Sequence, residues 1–134
     1  MKIALYNKEN KLRFVYEKFR ILFKNVLDEV SFSLLSNNFL HYIDRLGKED
    51  EKACLEDFVE KYFLIRKYFI IERDNYMNYI RSTEFKEDNL LSKILTRIKA
   101  KQWQNICEKF GKFEHEFYDK VLAVEIEKRV TQQI

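Results

Sequence analysis

The chain has 134 residues, of which 46% are hydrophobic and 35% are charged, and its formal net charge is +3. These values are typical of one soluble globular domain, and they exclude a disordered chain and an acidic mimic of DNA. There is no proline and there are only two glycines. Because the turns of a β-rich fold need these residues, the sequence predicts an all-α, single-domain bundle of four to five helices over residues 1–134, with a long central helix.

The cysteines and the apolar runs indicate the cellular compartment. Cys54 and Cys107 lie far apart in the sequence, which predicts reduced thiols rather than a disulfide framework. The N-terminal apolar run is too short for a signal peptide, and no apolar run approaches the ~20 residues that span a bilayer. We therefore expect a cytoplasmic protein that has no membrane partner.

The first predicted helix starts after Asn10, a suitable cap, and residues 2–6 are predicted to be extended or frayed. Its apolar residues recur at helical spacing and form one face: Leu12, Val15, Tyr16, Phe19, Leu22, Phe23, Val26, Leu27 and Val30. Two more apolar residues, Phe14 and Ile21, lie on the far side of this helix. Basic residues flank that pair: Arg13, Lys18, Arg20 and Lys24.

A second helix is predicted around residues 39–46 and ends at Gly47, whereas the polar run over residues 31–38 gives a weaker helical signal. The third helix begins near Asp50 and runs to Ile80; it is apolar on more than one face, as expected for a central helix. It would be ~45 Å long, so the sequence predicts a break near Glu72–Asn75. Residues 82–88 are predicted to be a loop.

Asn89 is predicted to cap the last helical region. Its first apolar residues are expected to point inward: Leu90, Leu91, Ile94, Leu95 and Ile98. The apolar phase slips across residues 99–102, which predicts a kink or a new helix. A second stripe then continues through Gly111: Trp103, Ile106, Phe110, Phe113, Phe117, Val121 and Val124. The core is predicted to hold Phe19, Phe23, Phe58, Tyr62, Phe69, Trp103, Phe110 and Phe117.

The sequence shows no recognisable catalytic motif. Two isolated glycines exclude a Gly-rich phosphate loop, and neither His41 nor His115 follows a glutamate by three residues, as a ferritin-like di-iron site requires. No arginine precedes either histidine by four to six residues, as in some helical ribonucleases. The spacing of Cys54 and Cys107 relative to the histidines matches no short zinc-ligand pair. We expect no enzyme activity, no metal and no cofactor.

The off-face apolar residues indicate a protein interface. Phe14 and Ile21 on the first helix, and Leu64, Tyr68 and Ile71 on the third, fall where simple two-layer packing leaves them in water. Either the bundle wraps around both sides of these helices, or a partner protein or a second copy covers them. The preferred hypothesis is a non-enzymatic interaction protein (an inhibitor, an immunity protein or a small subunit) that docks through an apolar, basic-rimmed face. Its candidate partner-binding residues are Phe14, Ile21, Arg13, Arg20, Lys24, Leu64, Tyr68 and Ile71.

Two sets of basic residues carry alternative hypotheses. Lys93, Arg97 and Lys101 align at i, i+4 and i+8, which suits either a nucleic-acid backbone or an ordinary solvated helix face. Arg66 and Arg73 fall near the middle of the apolar face of the third helix. Either they snorkel to solvent, or they line a groove that holds an anion: an internal carboxylate such as Asp44 or Glu114, or a group from a partner.

Overall fold

The computed structural model describes residues 2–118, which form five α-helices and no strand. The helices are α1 (Lys2–Phe23), α2 (Glu29–Asp44), α3 (Glu51–Ile80), α4 (Thr83–Glu87) and α5 (Leu90–Phe117). The predicted all-α bundle with a long central helix is therefore confirmed. None of the helices within residues 2–118 has the length and apolar character that a membrane span requires.

Four of the helices close into a bundle, because α1 packs on α2 and α5, and α3 packs on α2 and α5. Each neighbouring pair is antiparallel. On α1 and α5, for example, Phe19 lies against Phe113 and Phe23 lies against Phe110, so the chain numbers run in opposite directions. The short α4 joins the ends of α3 and α5.

Aromatic side chains fill the bundle interior. The closest ring pair is Phe23 and Phe110, whose centroids lie 4.7 Å apart, and Phe39 and Phe58 meet edge to face at 5.0 Å. Such contacts add to the large apolar area that each ring removes from water. Seven of the eight predicted core residues are buried; Trp103 is half-buried.

Side chains cap three helices, as their residue types predict. Asp28, Ser82 and Asn89 each accept a hydrogen bond from a backbone N–H in the first turn of α2, α4 and α5. Gly47 follows α2 with φ of 78°, a left-handed conformation that glycine adopts without steric cost. The predicted cap at Asn89 is thus seen in the structure, whereas α2 ends at Asp44, three residues before the predicted stop at Gly47.

The N-terminal segment differs from its prediction. α1 is already helical at Lys2, so the extended or frayed segment and the cap at Asn10 are wrong. Tertiary contacts explain the longer helix. Leu5 packs beside Gly47, and Lys8 pairs with Glu51 at 3.2 Å, which fixes the early turns of α1 against the α2–α3 connection.

Three predicted interruptions are also wrong. α3 has no break near Glu72–Asn75, α5 has no kink across residues 99–102, and the loop at 82–88 contains α4. α2 includes the polar run that gave a weak signal. α3 stays continuous because α5 supports it along its length: Tyr76 lies against Trp103, and the Tyr79 hydroxyl donates to Asp88 at 3.3 Å.

The prediction that the first apolar residues of α5 point inward is wrong. All five residues of that prediction are exposed to solvent: Leu90, Leu91, Ile94, Leu95 and Ile98. The physical reason is that α1 and α2 end before they reach this part of α5. The predicted positions Val121 and Val124 lie outside the described residues.

We expect Phe19→Ala to lower the free energy of unfolding by about 3–5 kcal/mol, because Phe19 is fully buried and contacts rings from α1, α2 and α5. Urea unfolding followed by circular dichroism measures this change. Ile21→Ala, on the exposed side of the same helix, serves as the control and should change stability by less than about 1 kcal/mol. A loss below about 1 kcal/mol for Phe19→Ala would contradict the core.

Candidate functional site

The end of the α3–α5 hairpin extends beyond the bundle. We call residues 70–102 the arm: the last turns of α3, all of α4 and the first turns of α5. Every residue of the arm is described, and only Phe85 and Ala100 are buried. The arm is therefore a two-helix layer that has no core of its own.

Helix lengths explain why the arm is uncovered. On α2, Asn38 contacts Lys61 of α3, and α2 begins nine residues earlier at Glu29. Because the two helices are antiparallel and rise equally per residue, the start of α2 lies level with about residue 70 of α3. On the other side, α1 ends at Phe23, which lies against Phe110. Neither α1 nor α2 therefore covers the arm.

Five aliphatic side chains are exposed on the α5 half of the arm, and we call them the aliphatic face. Their relative exposures are 74% for Leu90, 68% for Leu91, 47% for Ile94, 50% for Leu95 and 50% for Ile98. A contiguous apolar group of this kind is uncommon on the surface of a monomer.

The aliphatic face lies on the side of α5 that α1 covers further along. Leu91, Leu95 and Ile98 follow helical spacing, and steps of three or four residues continue the same line to Phe113. Phe113 packs on Phe19 of α1 at 5.3 Å. The aliphatic face therefore lies on the same general side of α5 as the residues that α1 buries, and the exposed polar residue Gln102 separates the two apolar groups.

The α3 residues predicted as partner-binding are also in water. Leu64, Tyr68 and Ile71 are all exposed. The Tyr68 ring contacts Trp103 edge to face at 6.1 Å, so this stripe reaches α5 near the base of the arm. The bundle does not wrap around this side of α3.

The α1 pair, Phe14 and Ile21, lies away from the arm. Lys18 Nζ sits 4.9 Å from the centroid of the Phe14 ring. Ile21, 80% exposed, lines an apolar groove of about 900 Å³ between α1 and α5, where Gly111 leaves open space above its backbone.

Carboxylates neutralise part of the basic rim of α1. Arg13 pairs with Glu9 at 2.7 Å, and Arg20 lies 3.6 Å from Glu17. Lys24 is exposed just after the helix. The basic residues that flank Phe14 and Ile21 therefore carry less net positive charge than their number alone indicates.

The basic row on α5 flanks the aliphatic face. Arg97 lies 5.4 Å from the centroid of the Phe85 ring, Lys93 is half-buried and Lys101 is exposed. Within the described residues, no carboxylate forms an ion pair with any of the three. This face is apolar with a basic row along one side, and none of its five apolar residues belongs to the set predicted to bind a partner.

Arg66 and Arg73 have separate partners. Arg66 Nε lies 2.7 Å from Glu114 Oε1 on α5, and this carboxylate is one of the internal partners that the sequence suggested. The contact is an ion pair without hydrogen-bond geometry at Nε. Arg73 pairs with the adjacent Asp74 at 3.2 Å. The two guanidinium groups are not brought onto one anion.

Tyr62 completes a polar cluster next to Arg66. Its hydroxyl donates a long 3.5 Å hydrogen bond to the Phe110 carbonyl. Burial, reinforced by the nearby Glu114 carboxylate, raises the pKa of Tyr62 well above its usual range, so the hydroxyl stays a donor at neutral pH.

Neither thiol has the environment of an activated nucleophile. Burial raises the pKa of Cys54 and of Cys107, whereas activation requires a lowered pKa. Cys107 and His115 lie apart from Cys54. The structure instead groups Cys54 with His41 and Asp50, and Asp50 is a residue that sequence spacing did not single out.

No protein-family model, no curated protein and no solved structure matches this chain.

We expect Arg66→Met to destabilise the fold by about 1–2 kcal/mol, because it leaves the half-buried Glu114 carboxylate without its cation. Arg73→Met is the matched control and should cost less than about 0.5 kcal/mol, since its partner Asp74 is exposed. Adding Glu114→Gln to Arg66→Met should recover part of the loss. Equal stability of the two single variants, measured by urea unfolding, would contradict this assignment.

Proposed function

We propose that this protein is a non-enzymatic interaction protein that pairs with a second copy of itself through the aliphatic face of its arm. The observation that carries the proposal is the exposure of Leu90, Leu91, Ile94, Leu95 and Ile98 on a helix pair with no third layer. Each of these side chains gains about 1.5–3 kcal/mol when fully buried, so their exposure is costly unless a partner covers them.

A second copy suits the architecture of the arm. The arm is a pair of antiparallel helices, and two such pairs can make a four-helix bundle with a closed core. A two-fold dimer uses the same patch on both copies, so that patch must be complementary to itself.

The aliphatic face has this self-complementarity when two α5 helices lie antiparallel. Both helices rise equally per residue. The numbers of any two residues that lie opposite each other therefore add up to the same total. In one register Leu91 lies opposite Ile98, and Ile94 lies opposite Leu95. All four of these residues are exposed in the single chain.

The same register also matches charge. Asp88, which precedes α5, then lies level with Lys101 of the other copy. The end of the arm also carries Glu84, Lys86 and Glu87, so residues 84–88 have a net charge of −2, whereas residues 93–101 of α5 carry only basic charges. Antiparallel pairing brings the acidic end of each arm beside the basic row of the other, which favours this orientation over a parallel one.

Nucleic acid is the second candidate partner. The observation that favours it is the row of Lys93, Arg97 and Lys101, which have no ion pair within residues 2–118. A phosphate backbone would replace the missing carboxylates. The row is short, however, and it borders an aliphatic face that a phosphate backbone does not need. These features support a protein partner more strongly.

The first test is the oligomeric state of the parent and of Leu95→Asp, measured by size-exclusion chromatography with light scattering. We expect a dimeric parent and a dissociation constant at least about a hundredfold higher for the variant, because the new carboxylate would be buried without a partner. Ile21→Asp, at a position on α1 that is also exposed, is the control and should remain dimeric. Leu95 lies in water in the single chain, so circular dichroism should show unchanged helix content.

A monomeric parent, or a dimeric Leu95→Asp variant, would contradict self-association through the arm. Changing Lys93, Arg97 and Lys101 together to Ala distinguishes the second candidate. If the protein binds a labelled DNA or RNA duplex, this triple change should reduce the slope of log affinity against log salt by about 2–3. Binding of the duplex with an unchanged slope would exclude the basic row as the site.

A further inference from the structure

Three potential metal ligands meet where α2 is joined to α3. One ligand atom from each of His41, Asp50 and Cys54 lies within 4.8 Å of the other two. His41 is in the last turn of α2, Asp50 immediately precedes α3, and Cys54 lies one turn further along α3. The turn through Gly47 brings these elements together.

We propose that His41, Asp50 and Cys54 bind a zinc-type divalent cation. The three side chains supply nitrogen, oxygen and sulfur, and zinc accepts all three donor types. Zinc–ligand bonds of about 2.0–2.3 Å imply ligand atoms about 3.3–3.8 Å apart in a tetrahedral site. The three ligand atoms therefore need to move only slightly closer together to bind a zinc ion.

The orientation of Asp50 supports the site independently. Asp28, Ser82 and Asn89 precede helices and accept backbone hydrogen bonds with their side chains. Asp50 stands at the same position of α3 and makes no such bond. Its carboxylate points towards Cys54 instead, with Oδ2 at 3.9 Å from Sγ. The carboxylate is thus directed at the Cys54 thiol rather than at the backbone N–H groups in the first turn of α3.

Arg45 fixes that orientation from behind. Its Nε donates to Asp50 Oδ1 at 2.6 Å, which leaves Oδ2 directed at the sulfur. Groups that bind the outer oxygen of a ligand carboxylate orient metal sites in this way. The guanidinium charge also repels a cation, so an Arg45 substitution would change both the orientation and the charge of the site.

The site is open to solvent, and its three protein ligands do not fill a tetrahedral coordination shell. His41 is exposed, so a cation has a path from solvent. Three protein ligands leave the fourth tetrahedral position to water or to a group from another molecule. Cys107 and His115 take no part, because they are not in the cluster. They provide matched controls for the cysteine and the histidine.

The test is isothermal titration of the full chain, with its thiols reduced, against zinc chloride. We expect one zinc per chain and at least about a tenfold loss of affinity in each of His41→Ala, Asp50→Asn and Cys54→Ser. Cys107→Ser and His115→Ala should bind like the parent. With cobalt chloride, a sulfur-to-cobalt charge-transfer band should appear in the parent and in Cys107→Ser but not in Cys54→Ser.

Circular dichroism of each variant without metal separates loss of the site from loss of the fold, and Asp50→Asn keeps the shape of the side chain. No zinc binding by the folded parent would overturn the proposal. So would unchanged affinity in the three ligand variants, or an equal loss in the two controls. One zinc per two chains would also overturn it, because the site described here is formed by a single chain.

Discussion

The antiparallel pairing of α3 with α5 is the interaction on which the rest of the structure depends. The two helices have 30 and 28 residues, whereas α1 and α2 have 22 and 16. Tyr76 in the arm packs on Trp103, with their ring centroids 6.3 Å apart, and so extends the contact beyond the bundle. Because α3 and α5 are longer than the helices that cover them, the molecule is a four-helix bundle at one end and a two-helix arm at the other.

This mismatch in length links the packing to the proposed function. The bundle end has a dense aromatic core, which holds α3 and α5 in a fixed relation. The Arg66–Glu114 ion pair adds a polar link between the same two helices. The arm projects from this support with its apolar side in water. A rigid base and an uncovered apolar end suit a docking element, because little ordering is needed on association.

The sequence predicts the four long helices, the aromatic core and the cap at Asn89, because these features depend on local spacing and residue type. It does not predict the exposure of Leu91 and Ile98. Amphipathic spacing shows which side of α5 is apolar, but whether α1 or a second copy covers that side depends on where α1 ends. The sequence also does not reveal that His41 lies near Cys54, because this proximity depends on the turn at Gly47 rather than on residue spacing.

Disulfide formation across the dimer tests the pairing of the arms most directly. With Cys54 and Cys107 changed to Ser, a chain that carries both Leu91→Cys and Ile98→Cys should oxidise to a covalent dimer, because the predicted register places residue 91 opposite residue 98. Leu91→Cys alone should not, since its two copies would lie about 10 Å apart along the helix axis, too far for a disulfide. A covalent dimer from the single variant, or none from the double variant, would contradict the account.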